Sequence, residues 1–294
     1  MINEQQLENW ARPLSETENA KCIATVAIIE KILNDHFGRR ADVFLQGSYK
    51  NKTNVRQDSD VDIVVCCLDD VFFSDISGLT PQDKQLYDSI YIDSSCTFSQ
   101  FKDEVHSLLV SKFSTDVERK NKCIKIRKNS YRVDADIVPC FIHKRFKTAK
   151  TVSVEGIKFI SDTGSGINSF PKQHYKNGAS KNIDTSEMYK KIVRIIKNCK
   201  NNLVDSGSMS EKDMPSFFLE CLIWNVPNFC FSNDTSYKNI TNSVIERIRD
   251  DMNNIQKAND YAEVSDLMWL FRGQFERTPE KAKAFCENVY KLIN

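Results

Sequence analysis

Two aspartates separated by one residue, Asp60 and Asp62, lie in the stretch GSYKNKTNVRQDSDVDIVV, residues 47–65. Positions two apart on an extended strand share a face. Both carboxylates therefore project together, while Val61, Ile63 and Val65 turn toward a core. Carboxylates held side by side repel each other unless a cation lies between them, and Mg2+ prefers hard oxygen ligands. Upstream, Gly47–Ser48 ends a preceding strand and leads into a helix. Glycine lets a phosphate approach the backbone, and a serine hydroxyl with the nearby N–H groups can contact phosphate oxygens. The spacing G-S-x11-D-x-D thus sets a phosphate cradle beside a metal site. A third carboxylate is expected on a neighbouring strand. YRVDADIVPC, residues 131–140, offers Asp134 and Asp136 on one face, with Val133, Ala135 and Ile137 on the other. Strand periodicity does not choose between the two. Three carboxylates would hold two metal ions, one to lower the pKa of an attacking hydroxyl and one to neutralise a leaving pyrophosphate.

Charge is distributed to suit such a site. Residues 58–104 carry eleven acidic and two basic side chains, whereas residues 144–200 carry thirteen basic and four acidic ones. An acidic patch that meets a basic one can hold cations and polyphosphate together. With 294 residues, 40% of them hydrophobic, the chain can bury a substantial core in one or two lobes. None of the ten cysteines forms a CxxC pair, and most sit among apolar neighbours. They read as reduced core residues, which together with a polar, acidic N-terminal stretch predicts a cytoplasmic protein. No apolar run is long enough to span a bilayer.

The elements that must position these residues are legible as patterns. Ser15 precedes Glu18 by three residues, a capping-box spacing, and Cys22, Val26, Ile29 and Leu33 then recur at helical intervals, so a helix is expected over 15–37. Ala41–Gln46 and Ser59–Cys67 read as strands, residues 69–100 as an acidic irregular insertion, and 101–113 as a helix. Val117–Arg127 and Tyr131–Phe141 read as two strands joined by the tight connection Lys128–Asn129–Ser130. Residues 161–186, rich in Gly, Ser, Asn and Lys, read as a loop at the seam between lobes. Beyond them the pattern is helical: Met188, Ile192, Ile195, Ile196, Cys199 and Leu203 form one stripe. Further helices are expected over Ser216–Trp224, 236–258, 261–272 and from Pro279 through Ile293.

The pattern GS…DxD…hDhhP, with h an apolar residue, resembles the DNA polymerase β-like nucleotidyltransferase superfamily. The fuller LQGSYKNKTNVRQDSDVDIVV resembles the cGAS/DncV-like nucleotidyltransferases of bacteria. SFPKQHYKNGASKNIDT…YKKIVRIIKNCK is similar to their CdnE branch in particular. The resemblance spans roughly residues 40–225. It implies an α+β fold: a polymerase β-like nucleotidyltransferase lobe of mixed sheet and helices over 1–160, a helical lobe with a base-reading lid over 161–294, and an active site in the cleft between them. The family's third ligand precedes two apolar residues and a proline, which selects Asp136. Asp60, Asp62 and Asp136 are then the catalytic residues and the ligands of two Mg2+ ions, or Mn2+. The implied nucleotide-binding set is Gln46, Gly47, Ser48, Ser169, Lys181, Lys197 and Ser216.

In the lid, INSFPKQH at 167–174, Ser169 precedes Phe170–Pro171 where uracil-using relatives carry asparagine. Serine implies purine substrates, ATP and GTP, unless Asn168, one position earlier, reads the base. His174 reads as a loop hydrogen-bonder rather than a general base. The implied activity is synthesis of a cyclic dinucleotide of the cyclic di-AMP or cyclic AMP–GMP type for antiphage signalling. A separate effector would bind the product, and the enzyme would act as a monomer without membrane or obligate nucleic acid. A pyrimidine-containing product is one alternative. Another is a non-cyclising transferase acting on a small molecule or on RNA, for which residues 144–200 would supply a basic channel. A binding module with a decayed site is disfavoured, because all three carboxylates and Gly47–Ser48 are present.

Overall fold

The computed structural model describes residues 2–56, 60–92, 96–232, 236–273 and 276–294, apart from the side chain of Asp70. The chain packs as two compact units. One comprises Glu16–Lys50 and Ser59–Pro171, the other Met1–Ser15, Asn51–Asp58 and Lys172–Asn294. The division falls after Pro171 rather than after residue 160, and the first fifteen residues pack with the helical unit.

In the first unit, helix α2 (Glu16–Phe37) forms where the apolar spacing predicts it, and Cys22, Val26, Ile29 and Leu33 are all buried. Its last residue, Phe37, packs against Phe101 with ring centroids 5.5 Å apart. The sheet has seven strands: β1 (Ala41–Gln46), β2 (Val61–Asp75), β3 (Val117–Arg119), β4 (Ile124–Ile126), β5 (Ala135–Thr148), β6 (Thr151–Ile160) and β7 (Gly166–Ser169). The order β1-β2-β5-β4-β3 forms the main path, with β6 on β5 and β7 on β6. β2 and β5 run parallel, so the chain between them must cross over. It does so through α4 (Pro81–Ile90), α5 (Phe98–Phe113) and the β3–β4 hairpin. The buried run Val61, Ile63, Val64, Val65, Cys66 and Cys67 shows why β2 reads as apolar on both faces: it is an interior strand. The expected first residue of that strand, Ser59, lies outside the described residues.

Four expectations differ from the structure. Much of the described part of the acidic stretch 69–100 is regular, as the end of β2, helix α4 and the start of α5. β2 resumes beyond a register break between Cys67 and Phe72, because Phe72 and Phe73 pack on Phe146 and Phe141. Helix α4 then starts on Thr80, whose hydroxyl accepts the Asp83 N–H. The expected long strand Val117–Arg127 folds back on itself as β3 and β4, and β4 pairs antiparallel with β5. The tight connection at 128–130 is a wider loop, because β5 begins only at Ala135. Residues 161–186 are ordered as β7 and helix α6 (Pro171–Asp184). Helix α6 has a polar sequence and is fixed by tertiary bonds, such as Asn177 Nδ2 donating to the Val264 carbonyl at 2.8 Å.

The helical unit is built around α7 (Met188–Asp205), whose buried residues cover nearly its whole circumference. Helix α1 (Glu4–Ala11) lies on it through Leu7 and Ala11. Arg194 staples the pair, donating to the carbonyls of Ala11 and Lys52, each at 2.7 Å. Helices α8 (Ser216–Asn225), α9 (Tyr237–Met252), α10 (Ile255–Asn259) and α11 (Pro279–Ile293) complete the unit. Each fully buried Ile or Leu here contributes roughly 1.5–3 kcal/mol. The helix expected over 261–272 is instead a turned segment closed by an Ala262–Trp269 bridge. Asn225 holds it at both ends of its amide, donating to and accepting from Ala262, and Asp266 adopts a left-handed φ of 60° that a helix would not permit.

Candidate active site

The sheet register brings four polar side chains into one row. Gln46 on β1 pairs with Asp62 on β2, Asp62 with Asp136 on β5, and Asp136 with Lys125 on β4. Directly paired residues share a face with Cβ atoms about 5 Å apart. Two of the three expected carboxylates, Asp62 and Asp136, are therefore neighbours across a parallel pair. Asp60 stands just outside the strand, one residue before β2 begins, so it is not the strand residue that the sequence suggests. Among the described residues no three His, Cys, Asp or Glu side chains already form a metal-holding cluster. Asp62 and Asp136 are brought together, and Asp60 flanks them at the start of the strand.

Gly47 explains the tightness of this corner. It has φ +70°, and a Cβ placed on it would lie 1.9 Å from Asp62 Oδ2. The backbone must cross directly over the Asp62 carboxylate, and only glycine allows both the conformation and the approach. Gly47 and Ser48 then open the five-residue helix α3 (Gly47–Asn51).

Asp134 and Asp136, indistinguishable by periodicity, differ in surroundings. Burial pushes the Asp134 carboxyl up, but the Lys128 N–H at 2.6 Å and the Lys125 ammonium at 3.1 Å outweigh it and hold the group below its usual range. Asp134 is a fully engaged structural carboxylate. Burial pushes the Asp136 carboxyl up, and the field of Lys125 and a bond from the Cys123 thiol do not restore it. Its Oδ1 is buried without a hydrogen-bond partner. A buried carboxylate oxygen with nothing to accept is costly, and a hard divalent cation is a fitting partner. Asp62 and Asp136 thus fit such an ion by donor chemistry.

The predicted phosphate-contacting residues of the helical unit have specific places. Lys197 is not a surface lysine: it is 4% exposed, and its ammonium donates to the Thr53 carbonyl at 3.0 Å and lies 3.4 Å from Glu220 Oε2. Thr53 Oγ1 donates to the same carboxylate at 2.8 Å, and His174 Nε2 lies 3.0 Å from its other oxygen. Burial alone would raise the Glu220 carboxyl, but Lys197, His174 and Thr53 bring it down to about 2. His174 accordingly sits on helix α6, not in a loop, and pairs with Glu220. Lys181 is engaged with its own unit, donating to the Val226 carbonyl at 2.7 Å and to Asn228 Oδ1 at 3.0 Å, and burial lowers its ammonium to about 8. Ser216 is the first helical residue of α8. The cap is Pro215, without a side-chain bond, so the serine hydroxyl is not consumed by capping. Ser169 ends β7 opposite Ile157 on β6. Sequence reasoning missed Glu220 and Thr53. Glu220 left a signal, being the lone charge in the apolar helix SFFLECLIW.

Comparison with known proteins matches both units. Residues 26–159 match a nucleotidyltransferase domain model, and 176–294 match the cGAS/DncV-like nucleotidyltransferase C-terminal helical domain. A cyclic dipurine nucleotide synthase of Elizabethkingia meningoseptica is 44% identical over 292 residues, covering 99% of this chain and 98% of that protein. A cyclic dipyrimidine nucleotide synthase, CdnE, of Cecembia lonarensis is 34% identical over 287 residues, covering 96% and 95%. The solved structure of the Elizabethkingia meningoseptica CdnE cyclic dinucleotide synthase with GTP and Apcpp superimposes with a TM-score of 0.84 at 41% identity, over 100% of both chains. With the α+β architecture, the paired aspartates and relatives of this identity along the whole chain, the protein belongs to the cGAS/DncV-like nucleotidyltransferases, as a cyclic dinucleotide synthase of the CdnE branch.

Proposed function

We propose that this synthase joins two purine nucleotides, ATP with ATP or ATP with GTP, in a Mg2+-dependent reaction. The observation that carries the reading is Ser169 immediately before Phe170–Pro171, supported by a relative at 44% identity named for dipurine products. The 3′ oxygen of one nucleotide attacks the α-phosphorus of the other. A P–O bond forms, the α–β anhydride breaks, pyrophosphate leaves, and the hydroxyl proton departs toward Asp136. A second round closes the ring. When bound between Asp60, Asp62 and Asp136, divalent cations supply the charge neutralisation that makes pyrophosphate a better leaving group. Gly47 and Ser48 receive triphosphate oxygens beside Asp62, with Gln46, Lys181, Lys197 and Ser216 completing the nucleotide-binding set. The product serves as an antiphage signal read by a separate effector.

Incubation with all four NTPs and Mg2+ or Mn2+, followed by mass spectrometry of phosphatase-resistant products, tests this directly. Cyclic di-AMP or cyclic AMP–GMP is expected. A uridine-containing product would overturn the purine assignment and move base reading to Asn168. Absence of any cyclic product with linear products on RNA would favour a non-cyclising transferase.

A further inference from the structure

The lid residue Ser169 ends strand β7, and its position is set by what lies beneath the next residue. Phe170 is 2% exposed. Its ring is clasped by two side chains from one face of β5, His143 with centroids 6.0 Å apart and the Arg145 guanidinium at 5.6 Å. Between β5 and β7 runs β6, and there Gly156 faces His143 in the ladder. A Cβ on Gly156 would lie 2.6 Å from the Ser169 carbonyl oxygen and 2.6 Å from the Phe170 ring. No other residue fits there without moving backbone, which is the expensive kind of collision. His143 is itself 1% exposed, with neither ring nitrogen in a hydrogen bond. A buried imidazole without partners is justified by its shape in this packing rather than by its polarity. Asn168, on the same short strand, also keeps a buried side-chain oxygen without a partner.

We infer that Gly156, His143 and Arg145 form a seat for Phe170 that fixes the Asn168–Ser169 edge, and so act as positioning residues for base selection. This rests on the reading of the lid as the base-reading element. The seat residues need not touch nucleotide. They hold the Ser169 backbone at one height over β6, and a shift of a few tenths of an ångström there changes which base edge the serine meets. Discrimination between closely related groups in a shaped pocket is worth about 10- to 200-fold, so a displaced edge should cost a measurable part of that.

The test measures purine-to-pyrimidine preference, as ratios of kcat/KM and as product composition from an equimolar NTP mixture, for Gly156→Ala, Phe170→Leu and Ser169→Asn. Thermal unfolding checks that each is folded. Gly156→Ala is expected to lower the ratio about tenfold, mainly through KM, and Phe170→Leu to change it in the same direction. A merely structural seat would lower stability and total rate while leaving the ratio untouched. If Ser169→Asn shifts the ratio but folded Gly156→Ala and Phe170→Leu do not, the seat is refuted and the serine reading stands. If the seat variants shift it and Ser169→Asn does not, the seat stands and acts through Asn168. If Gly156→Ala does not fold, Phe170→Leu decides alone. An unchanged ratio in all three overturns both.

Discussion

The Glu220 carboxylate is buried and the Asp136 carboxylate half-buried, and the two are finished differently. Glu220 is 4% exposed and every lone-pair direction that matters is answered, by Lys197, Thr53 and His174. Its carboxyl is held down to about 2. Asp136 sits beside another aspartate in the ladder, keeps an unanswered oxygen, and has its carboxyl pushed up by burial. The first arrangement is satisfied within the helical unit. The second leaves a buried carboxylate oxygen unanswered by the protein.

The contrast is broken most severely at the incomplete site. Asp62→Asn and Asp136→Asn should each reduce product formation by about three orders of magnitude or more, equivalent to about 4 kcal/mol of barrier, with the fold intact by circular dichroism. At the complete site the loss should be of stability. Glu220→Ala strands Lys197 in the interior and should cost about 3–5 kcal/mol, read as a lower urea midpoint. Gly47→Ala combines a left-handed backbone with a collision on the Asp62 carboxylate and should cost about 1–3 kcal/mol together with a large part of the activity.

The smallest effects sharpen the comparison by their sign. With its folded pKa raised, Asp136 contributes stability below the unfolded carboxyl value and loses it as pH rises through the folded one. Asp136→Asn should therefore stabilise the metal-free enzyme at neutral pH by about 1 kcal/mol, a gain that disappears on acidification. Glu220, with its pKa lowered, contributes stability above the unfolded carboxyl value of about 4.3 and loses it as pH falls toward 2. Chemical denaturation across pH 3–8 of wild type, Asp136→Asn and Glu220→Gln should give slopes of opposite sign for the two positions.

Much of this was legible in residue patterns. Cys22, Val26, Ile29 and Leu33 mark α2, Pro279 opens α11, and β1 has its expected ends. The failures share a cause. Helix α6 is polar and is held by bonds to Val264 and Glu220, distant in sequence. The Asn225 amide, at the end of α8 and 37 residues away in sequence, holds the turn at Ala262. Lys197 looks solvated because only one stripe of α7 is apolar, yet its charge is buried against Glu220. Local periodicity carries no information about such partners. Periodicity also does not reveal how Asp134 and Asp136 differ in surroundings, since Asp134 is the carboxyl that finds the Lys128 N–H and the Lys125 ammonium.

The pairing of Asp62 with Asp136 depends on a parallel register unbroken from Val61↔Ala135 to Cys67↔Phe141. Side chains alternate with period two, so one residue inserted or deleted within either segment would carry a carboxylate to the opposite face of the sheet. The crossover connecting these strands is under no such rule, since loop lengthening is cheap. Length variation among descendants of this chain should therefore collect between Asp75 and Ile124, and the two seven-residue stretches should keep their length even where their apolar residues are exchanged.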